Sequence, residues 1–302
     1  MANKGKYYES QFEEATIELL REAHWQYTLG DDIHRKYTDP LIEEDLRNFL
    51  AVQYKDKNLT TSEMDGIVAN LRNTGGQNDY YALRNAFLLY RDGYDFAYSD
   101  SRDNPFRMEY IDFEHPDHNI FRCVNQFVMG QGRENRRPDI LLFINGIPVC
   151  IIELKNPTKQ NATIRDAHTQ ICTRYMRDIP ALLKYCALAV ISDGAKNALG
   201  TTYTPFEFFY EWKKIENEDK AGKGLDTLRT LIRGALSPER ILEILRDYVY
   251  FPDPTKEDDT TEIVCRYPQF FATRKLREHI LNHLRSVGGD GKGCLLYTSP
   301  SP

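Results

Sequence analysis

Between Arg136 and Pro157 the chain reads RRPDILLFINGIPVCIIELKNP, and this stretch constrains the fold more than any other. Two short, almost wholly apolar runs, Ile140 to Ile144 and Val149 to Leu154, flank Asn145-Gly146. Asn-Gly suits the left-handed backbone of a two-residue turn, so the spacing predicts an antiparallel hairpin. Apolar runs without polar alternation belong to strands covered on both faces. The hairpin therefore implies a sheet with helices packed against it.

Charge gathers at one end of this hairpin. Asp139 begins the first strand, and Glu153 and Lys155 lie near the end of the second. Residues two apart in a strand share a face, so Glu153 and Lys155 project together. Register decides whether Asp139 joins them. A two-residue turn pairs Ile144 with Ile147. Counted back without interruption, Asp139 then faces Ile152 and points to the wrong side from Glu153. A three-residue loop, or one bulge near Pro148, shifts the register by one and sets Asp139 opposite Glu153. Pro148 has no N–H for the ladder, so we expect that irregularity.

Two carboxylates and a lysine at the end of an apolar hairpin are costly unless paired. A divalent cation would pair them, and hard oxygen donors suit Mg²⁺. Such an ion polarises a phosphoryl oxygen and acidifies water. Lys155 could orient or deprotonate that water and offset charge on the phosphorus centre. The chemistry expected is phosphodiester hydrolysis, with Asp139 and Glu153 as metal ligands and Lys155 as catalytic lysine.

The net charge of −6 and pI of about 5.7 exclude a chain that coats nucleic acid by bulk charge, so phosphate contacts must come from a local basic patch. Arg133, Arg136, Arg137, Lys159, Arg165, Arg174 and Arg177 form such a set beside the carboxylates. Residues of this kind position DNA through its phosphates without reading sequence. No apolar run approaches the about 18 residues that span a bilayer. The opening MANKGKYYESQFEE has no apolar core and is not a secretory signal. A cytoplasmic protein is expected, with its cysteines reduced and none spaced C-x-x-C.

Apolar periodicity predicts helices over 7–23, from Asp39-Pro40, over 61–72 and over 79–89, so the leading third is mostly helical. A strand is expected over 119–129, a helix over 163–177, and a buried strand at Cys186 to Ser192. Ser237-Pro238-Glu239 opens another helix, and a last one is expected over 272–285. ENEDKAGK at 216–223 reads as a loop and PDPTKEDD at 252–259 as a linker. The order gives an α/β fold: a mixed sheet flanked by helices, with a helical N-terminal part.

This pattern resembles the PD-(D/E)xK nuclease fold, and more narrowly the N-terminal nuclease domain of type I restriction enzyme R subunits. The segments that carry the resemblance are RRPDILLFINGIPVCIIELKNP, NATIRDAHTQICTRYMRDIPAL and ALAVISDGAKNALG. It covers residues 1–293. The resemblance implies a restriction-endonuclease-like sheet in which Asp139 and Glu153 hold the metal and Lys155 is catalytic. It adds Gln170 and Tyr175 on the following helix, where the usual spacing is three intervening residues and here it is four. It also implies a glutamate on the first helix near the metal, for which Glu13 is the candidate. The complete enzyme so implied acts on double-stranded DNA with methylation and specificity subunits, driven by ATP in a motor lying further on. Segment RYPQFFATRK leads towards that motor, with Gln269 near adenine. On this reading residues 1–225 form the endonuclease domain and 226–293 a linker and lead-in.

The last nine residues, CLLYTSPSP, resemble a translated transposon adapter, so the natural chain is expected to continue past Gly293. GGDGKG at 288–293 fails as a phosphate loop, since Gly follows Lys292. His115 with His118, or His279 with His283, could ligate zinc, but no Cys or carboxylate completes a set at a sensible spacing. Two other readings stay open: a stand-alone nuclease for repair or resolution, and a silent DNA-binding or assembly module.

Overall fold

The two apolar runs form strands because their β-branched and aromatic side chains can be buried on both faces at once. In the computed structural model, which describes residues 2–100, 103–130, 135–155, 163–215, 222, 224–252 and 260–285, every residue of β5 (Ile140–Ile144) and β6 (Ile147–Leu154) is buried. They are the centre of a six-stranded mixed sheet ordered β1-β4-β5-β6-β7-β8. The other strands are β1 (Gln26–Leu29), β4 (Phe121–Asn125), β7 (Leu188–Ser192) and β8 (Asn197–Gly200). β4, β5 and β6 are successively antiparallel, whereas β1 runs parallel to β4 and β7 parallel to β6. β2 (Tyr94–Phe96) and β3 (Phe106–Met108) form a separate hairpin.

Four helices precede β2: α1 (Ala2–Glu22), α2 (Glu43–Gln53), α3 (Thr61–Asn73) and α4 (Asp79–Asp92). α3 starts at a capping box between Thr60 and Glu63, and α4 at the Asn78 side chain, which accepts the Tyr81 N–H. The crossover from β6 to β7 is helical. α5 (Ile164–Thr169) runs into a π-helical turn (Gln170–Tyr175), then α6 (Met176–Asp178) and α7 (Pro180–Leu183). Ala167, Ile171, Tyr175 and Leu182 pack on Val124, Leu141, Phe143 and Ile151, which fixes the sheet face covered by the crossover. α8 (Leu225–Leu231) and α9 (Pro238–Asp247) follow; Ser237 and Pro238 start α9 as expected.

The chain divides into two compact units, Met1–Val264 and Cys265–Pro302. The described part of the second is the helix α10 (Tyr267–Arg285) with the two residues before it. Among the described residues no helix is long and apolar enough to cross a membrane. The five described cysteines are free thiols. The 288–293 segment, the terminal nine residues and most of the 216–223 and 252–259 segments lie outside the described residues.

Three expected boundaries move for local reasons. Asp39-Pro40 does not open α2, which starts at Glu43. Leu41 and Ile42 are buried, and the Ile42 N–H is bound to the Gly146 carbonyl at 2.9 Å, so the chain does not enter the helix until it clears the hairpin turn. The strand expected over 119–129 is only Phe121–Asn125, because Gln126 turns to φ 55° and leaves the ladder. The last helix begins at Tyr267 rather than Ala272: Pro268 fits a first turn, and the Gln269 side chain accepts the Arg266 N–H at 2.9 Å.

The turn itself is a load point. Asn145 and Gly146 both have positive φ, 50° and 76°. The buried Asn145 side chain accepts the Ile120 N–H at 2.7 Å and donates to the Tyr110 carbonyl at 3.0 Å. A Cβ at Gly146 would collide with the Ile42 carbonyl oxygen. We expect G146A to cost at least about 2 kcal/mol, from the left-handed backbone and the collision together. Urea unfolding checks this, and a loss below half that figure would show that Ile42 yields freely.

Candidate active site

The register of β5 against β6 builds the site. Ile144 pairs with Ile147 and Phe143 with Pro148, but Leu142 pairs with Cys150, so the ladder shifts between Leu142 and Phe143. The expected irregularity is present, at Pro148. Ile140 then pairs with Ile152, and the next step sets Asp139 against Glu153. Leu141 and Ile151, which lie two residues inward from Asp139 and Glu153, pack on the crossover helix. Asp139, Glu153 and Lys155 therefore share the crossover side of the sheet.

Here they are joined by the helix. Lys155 Nζ donates to Glu153 Oε1 at 2.7 Å and to Gln170 Oε1 at 2.8 Å. Gln170 Nε2 donates to the Tyr175 oxygen at 2.6 Å, and the Tyr175 hydroxyl donates to Glu153 Oε2 at 3.2 Å. These four contacts close a ring. Its polarity is determined, since an ammonium only donates and so turns the Gln170 oxygen towards itself. Asp139 Oδ2 accepts the Leu154 N–H at 2.7 Å, and the Lys155 N–H is held by the Ser192 carbonyl at 2.7 Å.

The fourth intervening residue between Gln170 and Tyr175 is absorbed by the π turn. In an α-helix, residues five apart point about 140° away from one another. The wider turn, spanning Gln170 to Tyr175, carries the extra residue and returns Tyr175 to the Gln170 face. The off-by-one spacing thus places both side chains against Glu153 and Lys155.

Glu13 reaches the same end from α1. Its Oε1 accepts from Asn125 Nδ2 at 2.8 Å and from Gln126 Nε2 at 2.9 Å. It is close enough to raise the Asp139 proton affinity. The Tyr27 hydroxyl donates to Asn125 Oδ1 at 3.0 Å, which turns the Asn125 amine towards Glu13. Tyr27, Asn125 and Gln126 were not anticipated. Adjacent amides at the end of an apolar strand were the only signal for them in the sequence, and the left-handed Gln126 was not legible.

The basic residues separate into groups. Arg133 and Lys159 lie outside the described residues. Arg136 Nε and Arg177 Nε both bind Asp178, each at 2.7 Å, and together they hold its carboxyl down at about 2, Arg177 more strongly. Arg137 and Arg174 are exposed. Arg165 lies over the Phe206 ring at 4.2 Å. Gln269 belongs to the second unit, where it caps α10. The histidine pair does have a carboxylate beside it, contrary to the sequence expectation: Asp112, three residues before His115.

Glu153 is almost fully buried, and Lys155 pairs with it directly while Asp139 accepts only the Leu154 N–H among the described residues. Burial, and after it Glu153, holds the Asp139 carboxyl well above the usual carboxylate range. Burial raises Glu153 too, against the pull of Lys155. Below the usual carboxylate range, folded and unfolded chains are equally protonated and nothing is lost. As pH rises above it the unfolded chain ionises first, so the fold loses stability. We expect D139N, which keeps an acceptor for Leu154, to stabilise chelator-treated protein at pH 7. The gain should shrink towards pH 4. Melting temperatures at the two pH values test it, and a D139N variant no more stable at pH 7 would contradict it.

Residues 6–208 match the family described as type I restriction enzyme R protein N terminus. The chain is 28% identical over 305 aligned residues to the Haemophilus influenzae type I restriction enzyme HindI endonuclease subunit, covering 97% of this chain and 28% of that one. It is 27% identical over 287 residues to a putative type I restriction enzyme MjaIXP endonuclease subunit from Methanocaldococcus jannaschii, covering 87% and 27%. It is also 27% identical over 192 residues to the Escherichia coli EcoprrI endonuclease subunit, covering 61% and 56%. The chain thus spans little more than a quarter of the first two relatives. With two thirds of its length matched, it belongs to the family of type I restriction enzyme R proteins, in their N-terminal part.

Proposed function

We propose that this chain is the DNA-cutting module of a type I restriction complex, a Mg²⁺-dependent endonuclease that hydrolyses phosphodiester bonds of double-stranded DNA. The observation that carries the reading is the closed ring of Glu153, Lys155, Gln170 and Tyr175 with Asp139 beside it. The mixed sheet, its hairpin and the crossover helix support a restriction-endonuclease-like PD-(D/E)xK core. On this reading the module works in the cytoplasm beside methylation and specificity subunits. ATP is used by a motor outside residues 1–293, with Gln269 in the segment leading to it.

Asp139 and Glu153 would hold the cation, with Glu13 as a third carboxylate. When bound, Mg²⁺ supplies polarisation of a phosphoryl oxygen and acidifies water. The remaining work falls to the chain. Gln170 anchors the Lys155 ammonium, leaving it one N–H to orient the attacking water or to meet charge gathering on the phosphate. Tyr175 fixes the second oxygen of Glu153, so the carboxylate cannot rotate away. Arg137 and Arg174, exposed near the site, suit sequence-independent phosphate contacts. Arg136 and Arg177 are engaged with Asp178 and would have to share it with DNA.

The test uses the complete complex. We expect D139A to lower DNA cleavage by at least about a hundredfold while ATP hydrolysis and translocation continue. Chelation of Mg²⁺ during a single-turnover cleavage step should have the same effect. Unchanged cleavage by D139A would rule out the site.

A further inference from the structure

A second set of ligand atoms lies outside this site, in the loop between β3 and β4. Its sequence is Asp112-Phe113-Glu114-His115-Pro116-Asp117-His118. Asp112 is 5% exposed, and its Oδ1 accepts the N–H groups of Glu114 at 3.0 Å and His115 at 2.9 Å. The carboxylate is thereby fixed in rotation. Its Oδ2 faces Gln53 Nε2 at 3.1 Å, His115 Nδ1 at 3.3 Å and His118 Nδ1 at 2.9 Å.

The histidines are brought together by a 3₁₀ turn, Pro116–His118. Three residues make one turn of such a helix, so His115 and His118 sit one above the other. Their rings stack, with centroids 4.8 Å apart and planes at 22°. Both rings turn the same nitrogen, Nδ1, to the same carboxylate oxygen. With a proton on each Nδ1, that oxygen has two lone pairs and three donors aimed at it, while Oδ1 already serves two. Hydrogen bonding alone leaves the cluster over-subscribed. A cation between Oδ2 and the two nitrogens resolves the excess, with both imidazoles neutral and their Nδ1 lone pairs turned inward.

We propose that Asp112, His115 and His118 form a binding site for a transition-metal dication of the zinc class. The ligand atoms lie within 4.8 Å of one another, and the set of two imidazoles and one carboxylate suits a four-coordinate ion with water in the fourth position. Mg²⁺, which prefers oxygen, is not matched by it. Gln53, on α2, is the outer partner of the carboxylate. Arg246, on α9, binds Glu114 at 3.2 Å in the same loop. The ion would therefore pin the segment that leads into β4, and its role is structural.

The experiment titrates the 302-residue chain with Co²⁺, in a D139N background that silences the carboxylate site. We expect one Co²⁺ per chain, a visible d–d absorption band of a nitrogen-bearing four-coordinate site, and displacement by Zn²⁺. H115Q/H118Q should abolish the band and weaken Zn²⁺ binding at least tenfold, with circular dichroism showing that the fold is kept. Should the double variant fail to fold, H118Q alone, at a half-exposed ring, serves the same purpose. Absence of the band in the D139N chain, or a band that survives the histidine substitutions, would overturn the proposal. Neither outcome bears on cleavage, so the site stands or falls apart from the nuclease reading.

Discussion

Strand alternation admits no half-measures. A residue in a ladder faces one side of the sheet or the other, and a slip of one exchanges the faces. The shift between Leu142 and Phe143 is such a slip, and it is confined to one end of the hairpin. On the turn side of it, Ile144 and Ile147 keep the register that Asn145-Gly146 demands. On the far side, Asp139 changes partner from Ile152 to Glu153. The bulge lets a tight turn and a convergent set of carboxylates coexist in one hairpin. Without it, either the turn would need a third residue, against the close contact of Gly146 with Ile42, or Asp139 would point away from the crossover helix.

Charge placed at such a point has to be answered locally. Lys155 meets only one of the two acids directly. Removing an ammonium from so enclosed a pair would leave Glu153 uncompensated, a cost of about 3–5 kcal/mol for buried pairs in general. The Gln170 oxygen holds that ammonium, and the rest of the balance is made with two neutral donors, the Tyr175 hydroxyl and the Leu154 N–H. These orient the carboxylates without neutralising them. The site thus sets two acids against one directly paired ammonium where water screens poorly, and both carboxyls answer by holding their protons more tightly. An arrangement built only for stability would put apolar side chains there.

How far this was legible depends on the range of the interaction. The hairpin, its turn, the irregularity at Pro148 and the grouping of Asp139, Glu153 and Lys155 follow from period-two alternation and the missing proline N–H, both properties of neighbouring residues. The π turn was not legible. Nothing in Gln170 to Tyr175 distinguishes it from an ordinary helix, and what favours it is tertiary: Tyr175 must be buried while reaching Glu153. The start of α2 failed similarly. Asp39-Pro40 is a good local start signal, overridden by the hydrogen bond from Ile42 to the distant Gly146. Asp112 escaped notice beside His115 and His118 because a 3₁₀ turn, not an α-helix, sets their spacing.

Why the parts meet where they do follows from the sheet. Its interior is closed to polar groups, since β5, β6 and β7 are buried along their whole length. Along these three strands the charged side chains collect where the strands end. β6 and β7 run parallel, so their carboxyl ends lie side by side, and the Lys155 N–H is tied to the last residue of β7. Ends of parallel strands are the usual place for ligands in open α/β sheets, because the connecting chain leaves the sheet there and opens a crevice. β5 is antiparallel to β6, so its first residues arrive at the same end, bringing Asp139. β4, antiparallel to β5, finishes there too, and brings Asn125 and Gln126 to hold Glu13. Asn125 alternates with Val124, which packs on the crossover side, so it points to the other face, from which α1 supplies Glu13. One strand end therefore gathers carboxylates from both faces of the sheet, and the left-handed turn at Gln126 is the point where the backbone bends to allow it.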